Sequence, residues 1–241
     1  MNNPSKISPT EMRPNLAAGI AMRVGTIAVF LILQMGILFL AAGRLNWMWP
    51  WVYMGISLVI VIINGTIMLR TSPETIAERG KPKETKDWDK IVAGLLALAQ
   101  YLVLPLIAGL DVRFGWTREL GLAWHMAGAA GFVLGSGIGG WAMITNAYFS
   151  TAVRIQSDRG HTVCRSGPYR FVRHPGYVGF ILQFFGTPIL LGSVWALTPC
   201  SMAAVILIIR TSLEDRTLQA ELPGYQDYVQ EVRYRLLPGN W

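Results

Sequence analysis

The chain has 241 residues, of which 52% are hydrophobic and only 15% are charged. Soluble domains carry about 25% charged residues, so the composition is unlike that of an ordinary soluble enzyme and excludes a disordered chain. The 21 Lys and Arg residues outnumber the 14 Asp and Glu residues, which leaves a net charge of +7. A basic, apolar chain can bind nucleic acid or lie in a membrane, and the distribution of its charges decides between these classes.

The first 23 residues contain charges and prolines, and a long apolar run follows them. A cleaved signal peptide has a short apolar core and a cleavage site, so we interpret this region as a retained signal-anchor. A membrane-spanning helix needs about 20 apolar residues. Four uncharged stretches meet this requirement: Val24–Ala42, Trp51–Leu69, Ile91–Leu110 and Leu120–Ile144.

A fifth uncharged stretch, Tyr177–Ile209, has 33 residues and is too long for one span. It contains Pro188 and Pro199, and a proline inside a helix kinks or ends it. We therefore expect two shorter helices that fold into a hairpin near Gly192–Pro199. The predicted fold class is an all-α, polytopic membrane protein with four spanning helices plus a Pro-broken helical hairpin.

The positive residues separate by side of the membrane. Of the 21, 18 lie before the first span, between spans two and three, in the 145–176 segment and after the hairpin, whereas Arg44, Arg113 and Arg118 lie on the opposite side. Cytoplasmic loops carry the Lys/Arg excess, so the N-terminus and the 145–176 segment are predicted to be cytoplasmic, in an inner (cytoplasmic) membrane. This distribution follows topology and not a groove-sized face, so we expect no nucleic-acid partner.

Two further features concern the membrane interfaces. Trp47, Trp49 and Trp51 lie beside Arg44, which is typical of an aromatic belt at the interface opposite the cytoplasm. The 70–90 loop mixes both signs of charge, and we interpret it as a solvated interfacial loop.

Several patterns are better explained by packing than by chemistry. Gly135-x-Gly137-x-x-Gly140 matches a dinucleotide-binding fingerprint, but it lies inside an apolar span and not after a strand, so it indicates close helix packing. His125, in the same span, is interpreted as a packed residue. Cys164 and Cys200 form no CxxC pair and predict no disulfide framework.

Polar residues concentrate on either side of the hairpin. Pro175 suits the first position of a helix, which places His174 at the helix entrance, Tyr177 in its first turn, and free backbone N–H groups where they can bind an anion. Arg210 and Glu214 are four residues apart and share a helical face. If the hairpin closes, they stand beside His174 and Tyr177. On spacing alone, ordinary interfacial anchoring of an arginine with a helical ion pair is the more common explanation for Arg210 and Glu214.

These residues form a long, ordered motif. It reads Gly167-Pro168-Tyr169-x-x-x-Arg173-His174-Pro175-x-Tyr177-x-Gly179, then Arg210-x-x-x-Glu214-Asp215, then Gly224-Tyr225-x-x-Tyr228. The motif resembles that of the isoprenylcysteine carboxyl methyltransferase family, and related phospholipid methyltransferases share the acidic pair. This chain has Glu214-Asp215 where the family has two glutamates. We accordingly divide it into N-terminal transmembrane helices (1–144) and a methyltransferase catalytic region (145–241) with a cofactor loop, the hairpin and C-terminal amphipathic helices.

The resemblance implies an integral-membrane enzyme that uses S-adenosylmethionine in a cytoplasmic pocket and methylates a lipophilic small molecule or lipidated substrate, in particular a carboxylate. It implies that Arg210 binds the substrate carboxylate and that Glu214 and His174 are catalytic residues. It also implies cofactor contacts at Gln156, His161, Thr162, Val163, Cys164, Tyr169, His174, Pro175, Gly176, Tyr177 and Glu214. No metal site is predicted, and substrate specificity is expected in the apolar lining of spans three to five.

Two alternatives remain at this point. The acceptor could be an amine, as in phospholipid N-methylation, or a small thiol, and His174 or Asp215 would then be needed as a base. A transporter or a non-catalytic membrane scaffold is a different class, and it predicts charges in mid-span or repeat symmetry. The spans carry neither feature.

Overall fold

The computed structural model of the chain describes residues 9–80 and 85–239, with side chains from residue 16 onward. Its α-helices are α1 (Pro9–Ala42), α2 (Met48–Thr71), α3 (Pro73–Gly80), α4 (Asp87–Leu98), α5 (Leu104–Phe114), α6 (Leu122–Thr145), α7 (Pro175–Leu191), α8 (Leu197–Glu221) and α9 (Tyr225–Glu231). A π-helical turn, Ala99–Val103, joins α4 to α5. Residues 1–8 of the signal-anchor interpretation and residues 81–84 of the 70–90 loop lie outside the described residues.

Five helical segments of the described chain are long and apolar enough to cross a membrane. They are Leu16–Ala42, Met48–Thr71, Asp87–Phe114, Leu122–Thr145 and Leu197–Glu221. Large apolar side chains point outward from them: Leu40 is 80% exposed and Ile91 is 67% exposed. Such extended apolar surfaces are stable against lipid and not against water. The protein is therefore an all-α, polytopic membrane protein, as predicted. The first four predicted stretches are confirmed as spanning candidates; the first three helices are longer than predicted, whereas the fourth begins later, at Leu122.

The fifth apolar stretch forms the predicted hairpin, with one correction. Its second arm is not short, because α8 continues past Ile209 to Glu221 and is a spanning candidate in its own right. Only α7, with 17 residues, is shorter than a typical span. The polar residues that follow Ile209 are therefore held on a continuous helix and not on a loop.

The reversal of the hairpin comes from a glycine and not from the prolines. Pro188 lies inside α7, and Pro199 lies in the first turn of α8, where its missing N–H costs no hydrogen bond. Gly192 has a φ of +81° and caps α7, because its N–H donates to the carbonyl of Ile189. A left-handed residue after the last helical turn favours glycine, which has no Cβ to clash.

Close contact between α6 and α7 sets the position of the hairpin. A Cβ added to Gly135 would lie 2.5 Å from the carbonyl oxygen of Gly179, and one added to Gly186 would lie 2.5 Å from the amide nitrogen of Phe132. The two backbones therefore approach through small residues, as predicted for the glycine-rich span.

The end of the molecule near Arg44 holds the turn of the hairpin in place. Asp111 is buried at the end of α5 and accepts hydrogen bonds from the hydroxyls of Ser193 and Thr117. His125 is also buried, with Nδ1 2.8 Å from the carbonyl oxygen of Leu190 and its ring stacked on Trp49. The packed interpretation of His125 is thus the one that the structure shows.

Two predictions about interfaces need correction. Trp47 is 5% exposed and packs in the core, so among the three tryptophans the outward position belongs to Trp51, which is 54% exposed. The 70–90 segment is not a solvated loop, since it contains α3, with Thr75 and Ile76 buried. Helix α3 lies against α1, where Gly80 contacts the backbone of Gly19.

The α6–α7 contact predicts opposite effects for two neighbouring glycines. Gly135→Ala would place its methyl group against the α7 backbone, which cannot move aside cheaply, so we expect a loss of about 1–3 kcal/mol in the free energy of unfolding. Gly137→Ala is the matched control, because nothing lies within 4 Å of its added Cβ and alanine favours the helix. Tryptophan fluorescence measures the thermal unfolding midpoints of both variants in detergent. Equal shifts of the two midpoints would contradict this packing.

Candidate active site

A buried carboxylate organises the polar end of the helix bundle. Asp215 of α8 is 0% exposed and accepts a two-pronged pair from Arg173, with Nε to Oδ1 at 2.8 Å and Nη2 to Oδ2 at 3.0 Å. The Nε atom of Arg235 lies 2.9 Å from Oδ2, and Nε2 of His174 lies 3.2 Å from Oδ1. The hydroxyl of Tyr225 also donates to it. Charge-assisted bonds of this number satisfy a buried anion that would otherwise be very costly.

The Asp215 cluster joins three parts of the chain to α8. Arg173 and His174 precede α7, Tyr225 begins α9, and Arg235 lies in the C-terminal tail. The backbone amides of Arg173 and His174 also donate to the carbonyls of Tyr234 and Arg235. Because Asp215 is enclosed by donors, it is unavailable to a substrate, and the suggestion that it acts as a base has no geometric support.

Arg210 pairs with an acidic residue that the sequence interpretation did not use. Its Nε and Nη2 atoms lie 2.8 and 3.2 Å from the two carboxylate oxygens of Asp89, at the start of α4. Nη2 also donates to the carbonyl of Thr151. The guanidinium nitrogens that were expected to bind a substrate carboxylate therefore bind Asp89. The ion pair of Arg210 is thus formed with Asp89 and not with Glu214.

Glu214 lies where the predicted arrangement required it. The hydroxyl of Tyr177 donates to Oε2 of Glu214, and the Arg210 guanidinium lies 5.6 Å from the Tyr177 ring centroid. The His174 and Tyr177 rings are stacked with centroids 5.7 Å apart. The hairpin therefore brings Arg210 and Glu214 beside His174 and Tyr177, as the sequence predicts.

The loop between α6 and α7 is built around Gln156. Its buried side chain donates to the carbonyl of Tyr148 at 2.7 Å and accepts from Arg159 at 2.6 Å. Arg154 ties this loop to α3 through Glu78. Because the side-chain amide of Gln156 forms both of these hydrogen bonds within the loop, Gln156 shapes the cavity wall and has less capacity to bind a cofactor directly.

His161 is a neutral imidazole in this loop. Burial, together with the positive charges of Arg154 and Arg159, lowers the pKa of His161 to about 4. Its Nδ1 atom lies 3.2 Å from the backbone nitrogen of Gln156 and accepts that N–H, so the remaining proton is on Nε2. The ring is therefore a hydrogen-bond donor toward the cavity at neutral pH.

The N-terminus of α7 is less open to an anion than predicted. Pro175 carries no N–H, and the amides of Tyr177 and Val178 both donate to the carbonyl of His174. Gly176 packs tightly, because a Cβ there would lie 2.7 Å from the ring of Phe149. This turn therefore shapes the cavity wall and offers few free backbone N–H groups to an anion.

One cavity of about 840 Å³ connects the polar end of the bundle to its apolar interior. Its polar part is lined by Gln156, His161, Tyr169, His174, Tyr177 and Glu214. Its apolar part continues between α1, α2, α4 and α6, along Val24, Ile27, Phe30, Ile60, Leu96 and Phe132. The first two spans contribute a large share of this lining, in addition to spans three to five, where substrate specificity is predicted to lie.

The predicted cofactor residues converge on this cavity. All of them line it except Pro175, which is buried at the start of α7, and Arg210 lines it as well. Their roles stay predictions. The residues that the sequence analysis missed are Asp89 and Arg79. Asp89 was detectable as an acidic residue two positions before the apolar run Ile91–Leu110, whereas Arg79 was hidden in a segment interpreted as solvated.

Fold and site together define a multi-pass membrane protein with a polar pocket that opens into its own transmembrane core. Residues 127–220 match the model of the Isoprenylcysteine carboxyl methyltransferase (ICMT) family. The match covers less than half of the chain, and over this region it confirms the resemblance carried by the motif.

Individual relatives match less than half of the chain. A protein-S-isoprenylcysteine O-methyltransferase A of Arabidopsis thaliana is 31% identical over 102 residues, which are 42% of this chain and 48% of the relative. A protein-S-isoprenylcysteine O-methyltransferase of Schizosaccharomyces pombe is 37% identical over 71 residues, 29% of this chain and 30% of the relative. A probable enzyme of the same name from Oryza sativa subsp. indica is 30% identical over 91 residues, 35% and 45% of the two chains. The chain thus spans less than half the length of these relatives.

The Asp215 cluster predicts a large stability effect. Asp215→Asn would remove the charge that compensates Arg173 and Arg235, so we expect a loss of about 3–5 kcal/mol in the free energy of unfolding. Asp227→Asn, an exposed change on α9, is the matched control and is expected to stay within about 0.5 kcal/mol. Comparable unfolding midpoints for the two variants in detergent would rule out the organising role of Asp215.

The environment of His161 predicts an unusual titration. We expect its imidazole to stay neutral well below the pH at which a free histidine, with a pKa of about 6.5, becomes charged. A folded-state pKa below the unfolded value means that the stabilising effect is present above pH 6.5 and declines as the pH falls toward 4. Histidine NMR in detergent, with His161→Gln to identify the resonance, measures this, and a titration midpoint near 6.5 contradicts it.

Proposed function

We propose that the protein is an S-adenosylmethionine-dependent methyltransferase that methylates a carboxylate on a lipophilic, membrane-borne acceptor of the isoprenylcysteine type. The observation that carries this proposal is the continuous cavity, polar at one end and apolar where it enters the helix bundle. A polar cofactor and a lipophilic acceptor need such a shared space. Its volume lies within the range of about 300–1,000 Å³ that is typical of small-molecule sites.

The residues at the polar end fit a cofactor that carries a positive charge. Arg210 and Arg173 are compensated by Asp89 and Asp215, which leaves the half-buried Glu214 as an acidic group facing the cavity. Its carboxylate suits a ribose diol or an amino group and complements a sulfonium at longer range. The neutral His161 adds no opposing charge.

The acceptor is best explained as a carboxylate because such a group needs no base. S-adenosylmethionine, when bound, supplies a methyl group whose bond to sulfur breaks as the carboxylate oxygen bonds to carbon, with the electron pair left on sulfur and no proton transferred. Of the two proposed bases, Asp215 is enclosed by donors, whereas His174 faces Asp215 through Nε2 and keeps Nδ1 as an acceptor. Amine or thiol methylation would need such a proton acceptor, and carboxylate methylation does not. Catalysis then depends on proximity and orientation within the cavity.

The proposed orientation places the polar end of the cavity at the cytoplasm. The Lys/Arg excess lies at this end, where α3, the α6–α7 loop and the C-terminal tail meet. The cofactor would enter from the cytosol, and the acceptor would enter from the bilayer.

Glu214 provides the sharpest test of the cofactor site. Glu214→Gln keeps the shape of the side chain and its hydrogen bond from Tyr177 but removes the charge, so we expect S-adenosylmethionine binding to weaken by about 10–100-fold. Calorimetric titration of the purified protein in detergent measures the affinity.

Glu119→Gln is the matched control, since Glu119 is exposed in the loop between α5 and α6, far from the cavity. It should bind like the unaltered chain. Folded protein that does not bind S-adenosylmethionine would overturn the proposed function. Methyl transfer to a farnesylated amine but not to the corresponding carboxylate would overturn the proposed acceptor.

A further inference from the structure

Besides Arg154, Arg173 and Arg210, two arginines of the N-terminal helices line the cavity. Arg79 extends from α3, and Arg23 lies one helical turn after Gly19 on α1, where α1 and α3 touch. The Arg79 guanidinium lies 5.1 Å from the ring centroid of Phe149. The same wall includes Ile20, Val24 and Tyr101, so the two cations lie where the polar and apolar parts of the cavity meet.

Arg79 has an unsatisfied donor. Among the described residues, its Nη1 is one of two buried side-chain atoms without a hydrogen-bond partner, and the other is Oε1 of Gln100, which lines the same cavity. An unsatisfied donor on a charged group costs free energy, so such an atom in a native structure calls for an explanation.

The acids that could have compensated these arginines are paired elsewhere. Glu78, the neighbour of Arg79 on α3, is held by Arg154. Asp89 is held by Arg210, and Glu214 accepts from Tyr177. No hydrogen bond or ion pair to Arg79 or Arg23 is formed by the residues that the structure describes.

The pKa of Arg79 reflects this uncompensated charge. Burial and the positive charge of Arg23 lower the pKa of Arg79 to about 9. An anion bound between the two guanidinium groups would relieve both effects, because it supplies the missing opposite charge and fills the vacant donor.

We infer that Arg79 and Arg23 bind the anionic group of the acceptor, which is a lipophilic carboxylate whose apolar chain lies between α1, α2 and α4. This inference rests on the proposed function, and it moves the substrate-binding role away from Arg210. With its fork filled by Asp89, Arg210 is a positioning residue that ties α8 to α4 and supports the Tyr177 ring.

Phe149 brings the proposed anion site close to the start of α7. The Arg79 guanidinium lies 5.1 Å from its ring centroid, and a Cβ added to Gly176 would lie 2.7 Å from the same ring. The proposed anion site is therefore adjacent to the cofactor end of the cavity. The layout leaves Glu214, which forms no ion pair with another described residue, near the proposed cofactor, and the two unpaired arginines near the proposed acceptor.

The experiment compares two probes in the absence of cofactor: N-acetyl-S-farnesylcysteine with a free carboxylate, and the same compound as a carboxamide. We expect the unaltered protein in nanodiscs to bind the carboxylate at least tenfold more tightly than the carboxamide. Arg79→Gln should abolish that preference while leaving carboxamide binding unchanged, and Arg23→Gln should reduce it. Arg79→Lys, which keeps the charge, should retain part of it.

Arg70→Gln is the matched control, because Arg70 is exposed at the end of α2. Since Arg79 is uncompensated in the free protein, Arg79→Gln should unfold at the same temperature as the unaltered chain or higher, which a purely structural arginine would not do. Equal affinity of the unaltered chain for both probes, or an unchanged preference in Arg79→Gln, overturns the inference. Either result is separable from failure of the proposed function, because S-adenosylmethionine binding and methyl transfer are measured independently of these two probes.

Discussion

The buried carboxylate of Asp215 is the constraint on which the polar end of this protein depends. A charge removed from water must be compensated almost completely, and here the compensation comes from residues before α7, at the start of α9 and in the C-terminal tail. Those segments have to meet at one point on α8. Once they do, Glu214, which immediately precedes Asp215 on that helix, faces Tyr177 across the mouth of the hairpin. The site geometry thus follows from satisfying a single anion.

The buried ion pair between Asp89 and Arg210 holds the N-terminal half of the chain in place in the same way. Asp89 accepts from Arg210, from the backbone amide of Val153 and from the hydroxyl of Thr85, so it connects α4, α8 and the α6–α7 loop. Both ion pairs lie at the boundary where helices leave the apolar layer. They fix helix positions through electrostatics in a region where the hydrophobic effect gives little preference for one helix contact over another. The glycine contact between α6 and α7 completes the frame by bringing the two backbones together.

Local signals in the sequence predicted much of this architecture. They did not predict the ion pairs between residues that lie far apart in the sequence. The apolar runs identified the spans, and the ordered motif placed His174, Tyr177 and Glu214 together because their separations match a helix entrance and a helical face. The partner of Arg210 lies 121 residues earlier, so spacing offered no way to choose Asp89 over Glu214. Arg79 was missed because a charged segment was interpreted as solvated, although α3 buries Thr75 and Ile76 against the bundle. The predicted division at residue 144 stays a prediction, and the cavity is lined from both sides of it.

The two-part wall of the cavity has a consequence for how such proteins can diversify. The family match begins at residue 127, whereas much of the apolar lining, together with Arg23 and Arg79, belongs to helices that precede it. Mutations in α1 to α4 can therefore reshape the lipophilic chamber without disturbing the region that carries the motif. Under the proposed function, such mutations would change acceptor binding and leave the residues proposed to bind the cofactor as they are. Chimeras joined in the loop between α5 and α6 would be a natural way to exchange one while retaining the other.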